Sequence, residues 1–166
     1  GPESKPFVDG VPMYMSVWNH PLLDLMSIDA AESIEVFKGP QPQRFGNALS
    51  AVNLKTKRQD QGSRTKVKLA GGSYSTLINT VEHGARRDRW DYYLGGGYRT
   101  SDGHRDDADG TLKDVYGRIG YQLTDNWDVS FFSLLTDNKA SDPGAKGAPE
   151  EEKEGDYETR AFLTSL

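Results

Sequence analysis

Trp90-Asp91-Tyr92-Tyr93-Leu94-Gly95-Gly96-Gly97-Tyr98-Arg99 is the stretch on which the fold turns. Successive side chains of a strand point to opposite faces, so Trp90, Tyr92, Leu94, Gly96 and Tyr98 share one face and Asp91, Tyr93, Gly95, Gly97 and Arg99 the other. The same device recurs downstream. Val115, Gly117, Ile119, Tyr121 and Leu123 stand opposite Tyr116, Arg118, Gly120 and Gln122, and Trp127, Val129, Phe131 and Leu135 stand opposite Asp128 and Ser130. With weaker alternation over Thr65 to Gly71, Ser75 to His83 and Tyr157 to Leu166, six strands are expected. The turns at Arg86 to Arg89 and Thr124 to Asn126 are short, whereas Ser101 to Lys113 and Asn138 to Asp156 are long and acidic. Strands of about ten residues, tilted by about 45°, cover the ~25 Å apolar band of an outer-membrane barrel. A soluble β-sandwich with one buried face shows the same alternation, and alternation alone leaves both readings open.

Composition removes other classes. The 166 residues carry 18 Gly, 3 Trp, 8 Tyr and 6 Phe, a turn-rich and aromatic balance suited to β structure. No run approaches the roughly 18 apolar residues of a transmembrane helix, but a barrel strand escapes that test because half its side chains face the lumen. The absence of cysteine excludes disulfide scaffolds, thiol nucleophiles and zinc–thiolate sites. A net charge of −5 argues against nucleic acid as a partner. The carboxylates do not compose a catalytic pair or a Ser/His/Asp arrangement, so no enzyme and no cofactor is expected. Calcium fails as well: with Gly110 at the sixth position of an EF-hand loop, Arg105 would fill the first and Tyr116 the twelfth. His83 and His104 lack partners at metal-ligand spacing, and Glu150 to Glu154 reads as solvated loop.

Residues 1 to 60 have another style. In Pro6-Phe7-Val8-Asp9-Gly10-Val11-Pro12 an apolar run is broken by Asp-Gly, a pair that accepts the positive φ of a tight hairpin. Asp29 and Glu32 have capping-box spacing, which predicts a helical turn over Ala30 to Ser33 before a strand at Ile34 to Phe37. Gly39-Pro40 stops that strand, Gln41 to Leu49 reads as loop, and Ala51 to Lys57 as strand. Ile34, Val36, Val52 and Leu54 are expected to form a small core, with Gln59 to Ser63 as linker.

Four motifs in this region, in order and spacing, resemble the second half of the plug domain of TonB-dependent outer-membrane receptors. They are Phe7-Val8-Asp9-Gly10-Val11-Pro12, Ser33-Ile34-Glu35-Val36-Phe37-Lys38-Gly39-Pro40, Arg44-Phe45-Gly46-Asn47 and Val52-Asn53-Leu54-Lys55-Thr56-Lys57. The family's pattern is an IEVxxGP strand and turn, then xYG, with Phe45 here in place of Tyr, then VINIxTK leading into the barrel. Tyr98-Arg99-Thr100-Ser101-Asp102-Gly103 is similar to its early barrel strands. The resemblance implies a mostly β chain. Residues 1–60 would be the C-terminal part of a plug, with short strands and one helical turn. Residues 61–166 would be the first six antiparallel up-and-down strands of an incomplete transmembrane barrel.

It further implies a bacterial outer-membrane location and import of a scarce nutrient, foremost a ferric siderophore. The partners would then be TonB, through a segment absent from this sequence, a metal chelate and outer-membrane lipid. Ligand recognition would fall on the plug apex, where Tyr14, Trp18, Asn19 and His20 could stack on and hydrogen-bond a chelate. Met13, Met15 and His20 form a soft donor set suited to copper, although methionine as gap filler is the commoner use. A soluble carbohydrate-binding module with Trp90, Tyr92 and Tyr98 as platform, and a small hydrolase using loop carboxylates, are the rival readings.

Overall fold

The computed structural model describes residues 4–12, 28–141 and 156–165. A four-stranded mixed sheet comes first: β1 (Ser4–Val8), β2 (Val11–Pro12), β3 (Ala31–Phe37) and β4 (Ser50–Thr56), in spatial order β2-β1-β4-β3. β1 and β2 form the expected hairpin, with Asp9 at φ 49° and Gly10 at φ 82°. The Asp9 carboxylate then accepts from the Thr56 amide at 3.0 Å and the Thr56 hydroxyl at 2.5 Å, which ties the turn to the end of β4. β1 runs parallel to β4, and β3 antiparallel to it.

Three local expectations shift. The helical turn is a 3-10 turn at Ile28–Ala30, two residues early, because Asp29 is drawn into an ion pair instead of capping. The strand accordingly starts at Ala31. The loop after Pro40 holds one short helix, α1 (Pro42–Phe45), which delivers Phe45 between Phe7 and Phe37 at ring-centroid distances of 4.5 and 5.0 Å. Ile34 and Val36 do not enter the core: β3 is an edge strand, and they are 51% and 61% exposed. The buried apolar residues are instead Phe7, Phe45, Ala48 and Ala51 on one side and Val8, Ala30 and Leu54 on the other.

From Gly62 the chain builds one six-stranded antiparallel sheet in sequential order. Its strands are β5 (Gly62–Gly72), β6 (Thr76–Arg87), β7 (Trp90–Ser101), β8 (Gly110–Gln122), β9 (Asp128–Ser141) and β10 (Asp156–Ser165). They run 10 to 14 residues, about what the ~25 Å apolar band requires at a 45° tilt. Among the described residues no helix is long and apolar enough to cross a membrane, which says nothing of strands.

The two faces of this sheet are inverted relative to a soluble protein. Asp91, Asp114, Arg118 and Glu82 are buried on one face, while Trp90, Leu94, Val115, Ile119, Phe131 and Leu135 are exposed on the other. The small sheet covers the polar side: Val8, Ala30 and Leu54 pack against Tyr116, Phe132 and Leu134 of β8 and β9. A soluble sandwich would place its second layer on the apolar face. Here Trp90, Tyr92 and Tyr98 lie on that uncovered face, 56%, 38% and 38% exposed.

Candidate functional site at the sheet interface

The polar side chains between the two sheets form three ion-pair clusters, spaced along the strands. Nearest the short turns, Arg58 reaches from the connecting segment to Asp91 at 3.2 Å and Asp128 at 3.4 Å. Arg118 pairs with the same Asp91 and lies 3.8 Å from Asp128. Asp91, 1% exposed, is thus held between two guanidinium groups. In the second cluster Glu82 accepts from Lys57 and from Lys66, the latter at 3.2 Å. The third joins Arg99 to Asp29 and, at 3.1 Å, to Asp114. Tyr116 links the last two, its hydroxyl lying 3.0 Å from Glu82 Oε2 and 3.1 Å from the Asp29 carbonyl.

Glycines on the inner face make room for this arrangement. A Cβ at Gly84 would come within 3.0 Å of the Tyr93 ring, and one at Gly95 would collide with Tyr116. Each tyrosine therefore lies flat over a glycine of the neighbouring strand and brings its hydroxyl to the interface. Beside the rings a polar cavity of about 240 Å³ opens between the connecting segment and the wall, lined by Glu32, Lys57, Arg58, Arg64, Lys66 and Glu82 among others. At the turn end a second cavity, of about 260 Å³, is lined by Arg58, Arg86, Asp125 and Asp128 with their neighbours.

On the face of the small sheet opposite Val8 and Leu54 a further polar cluster is internal to that sheet. Glu35 accepts from Asn53 Nδ2 at 2.9 Å and from Arg44 at 2.9 Å, with Lys55 at 3.7 Å. The Asn53 amide foremost, then Arg44 and Lys55, hold the Glu35 carboxyl below its ordinary range against an opposing effect of desolvation. On the apolar face His83 is satisfied locally: Thr65 Oγ1 lies 2.7 Å from Nδ1 and the Tyr92 hydroxyl 3.1 Å from Nε2.

Tyr14, Trp18, Asn19 and His20, and the soft donors Met13 and Met15, lie outside the described residues. Among the described residues no group of three or more His, Cys, Asp or Glu side chains is placed to hold a metal. The interface residues Asp29, Arg58, Glu82, Asp91, Arg99 and Arg118 were not singled out as a site by sequence reasoning. The available signal was charge on the inward positions of otherwise aromatic strands, where a soluble sheet would carry its core.

No protein-family model and no curated sequence matches the chain. Solved structures do. The pyoverdine outer membrane receptor FpvA from Pseudomonas aeruginosa PAO1, bound to pyoverdine, superposes with a TM-score of 0.69 at 16% identity over 82% of this chain and 21% of that one. The ferric-catecholate import receptor Fiu from E. coli K12 gives 0.67 at 18% identity, over 85% of this chain and 21% of that one. The copper transporter OprC gives 0.70 at 15% identity, over 82% and 23%. The chain spans about a fifth of the length of these structures. A small mixed sheet set against the polar face of six sequential antiparallel strands, superposing on these import receptors, is the fold of part of a TonB-dependent outer-membrane receptor.

Proposed function

We propose that this chain is the plug-to-barrel part of an outer-membrane receptor that binds a scarce nutrient and imports it with energy supplied through TonB. The observation that carries this is the inverted six-stranded sheet. Its charged side faces the small domain, and Val115, Ile119, Phe131 and Leu135 on the other side are exposed by 44% to 62%. In water that face would demand a cover; in lipid it is the stable arrangement, since the strands satisfy their backbone groups laterally. Transport belongs to the complete receptor, with residues 1–60 as plug and 61–166 as wall. The nutrient class we favour is a ferric siderophore, in keeping with the pyoverdine and catecholate receptors that share the fold, with recognition by Tyr14, Trp18, Asn19 and His20.

Deleting the gene that encodes the protein and measuring uptake of radiolabelled ferric siderophores under iron limitation tests this. Loss of uptake, together with an equal loss on deleting TonB, is expected. Unchanged iron uptake with reduced copper accumulation would replace the siderophore by copper and implicate Met13, Met15 and His20. A protein recovered wholly in the aqueous phase on detergent partitioning would overturn the membrane reading itself.

A further inference from the structure

We infer that the short-turn end of the wall carries a binding site for the anionic headgroup of a phospholipid, built on Arg87 and Arg89. The inference rests on the membrane reading above and adds to it a preference for one class of lipid. Arg87 is the last residue of β6 and pairs in register with Trp90, which faces outward. Arg89 lies in the turn, 3.3 Å from the Leu123 carbonyl of the next turn, so its guanidinium spans two adjacent turns. Both arginines are exposed, and among the described residues neither forms an ion pair with a carboxylate. Asp88 stands between them at φ 54° and pairs with neither.

The opposite end of the wall is built differently. There Lys139 is answered by Glu158 at 3.3 Å, and Arg160 by Asp137 at 3.3 Å and Glu158 at 2.8 Å, with Lys113 the exposed cation beside them that forms no ion pair among the described residues. The turn end leaves its two arginines to be neutralised from outside.

What lies beside them says by what. Trp90 stacks on Tyr121 at a centroid distance of 4.6 Å, and Trp127 is 73% exposed at the adjoining turn. Amphipathic rings at this level mark the boundary between hydrocarbon and headgroups. Above them the outward face continues through Ile119 and Phe131, 48% and 44% exposed, so an occupant that satisfies both features has a phosphate at one end and acyl chains at the other. A free phosphate would use the arginines and leave the aromatic shelf unused. A guanidinium recognises a phosphodiester by paired N–H donors, and each cation near an anionic surface is worth about a five-fold change in association.

The test uses the full chain refolded into vesicles, with tryptophan quenching by brominated lipid as the readout. Brominated phosphatidylglycerol is compared with brominated phosphatidylcholine in otherwise identical mixtures. Preferential quenching by phosphatidylglycerol, reduced about thirty-fold in relative association constant by the double variant R87Q/R89Q and retained in R87K/R89K, is expected. The glutamine variants touch only exposed positions, and the lysine variant controls for folding. Equal quenching by the two lipids, or a preference that survives in R87Q/R89Q, overturns the site and leaves the membrane reading intact. No quenching by either lipid overturns both. Abolition of the preference by inorganic phosphate, but not by chloride at equal ionic strength, would make the occupant a free anion and refute the lipid assignment.

Discussion

Asp91→Ala is the sharpest test of the interface. Its carboxylate is 1% exposed and lies between Arg118, itself 7% exposed, and Arg58. Removing it leaves a buried guanidinium without its principal counter-charge, and breaking a buried pair by deleting one partner costs about 3–5 kcal/mol. Asp128 moderates this, since it remains 3.4 Å from Arg58 and 3.8 Å from Arg118, so the lower end, about 3 kcal/mol, is expected. The assay is equilibrium urea unfolding in lipid vesicles, followed by tryptophan fluorescence. Asp91→Ala/Arg118→Met then removes the stranded charge with the carboxylate and should recover at least about 1 kcal/mol relative to Asp91→Ala, a coupling of the size found between contacting residues. Arg160→Ala, which breaks only exposed pairs, should cost under about 1 kcal/mol. A cost below about 1 kcal/mol for Asp91→Ala, with no recovery in the double variant, would show that the cluster is hydrated and does not bind the small sheet to the wall.

Three further outcomes follow from the same geometry. Val115→Arg places a charge on the uncovered face, where Val115 is 62% exposed, and should cost about 2–4 kcal/mol in vesicles; a neutral result would favour a soluble module. Gly95→Ala drives a methyl group into the Tyr116 ring and should destabilise by about 1–3 kcal/mol, whereas Gly71→Ala, whose nearest contact is an ordinary 3.7 Å, should stay within about 0.5 kcal/mol; equal effects would refute the packing argument. Glu35 titrates below the ordinary 4.5, so its contribution is complete above that pH and is lost as pH falls through the lowered value. Asn53→Ala should bring the Glu35 titration, followed by carboxyl NMR, back toward 4.5, and an unmoved titration would show that the Asn53 amide is not its main cause.

The alternation around Trp90 to Arg99 made the strands legible, and Asp9-Gly10 made the hairpin legible, because both depend on local backbone rules. The small core was misplaced for a reason that no local pattern carries. Ile34 and Val36 alternate properly and share the face of Val8 and Leu54, yet β3 lies at the edge of its sheet and leaves them exposed, while Phe45 from α1 packs with Phe7 and Phe37 on the opposite face. Asp29 likewise has the right spacing for a cap, and its pairing with Arg99, 70 positions away, takes it elsewhere. The interface charges were visible as inward-facing Asp91, Arg99 and Arg118, but their partners Asp29, Arg58 and Glu82 come from other segments and only the fold brings them together. The expected ligand residues Tyr14, Trp18, Asn19 and His20 fall outside the described residues.

The three clusters also fix where the small sheet is tied to the six-stranded sheet. On the side of the small sheet they use Asp29, Lys57 and Arg58, and the Lys57 amide donates to the Ala30 carbonyl at 2.8 Å, so all three contacts leave from one corner where β3 begins and β4 ends. The opposite face of the small sheet, with Glu35, Arg44 and Asn53, is bonded within itself. Separating the two sheets at this corner withdraws Lys57 from Glu82 and Arg58 from Asp91, whose carboxylates are 7% and 1% exposed, whereas Arg99 and Asp29 are both partly exposed and their pair contributes less. Among the described residues the polar attachment of the small sheet to the six-stranded sheet is therefore concentrated at this one corner.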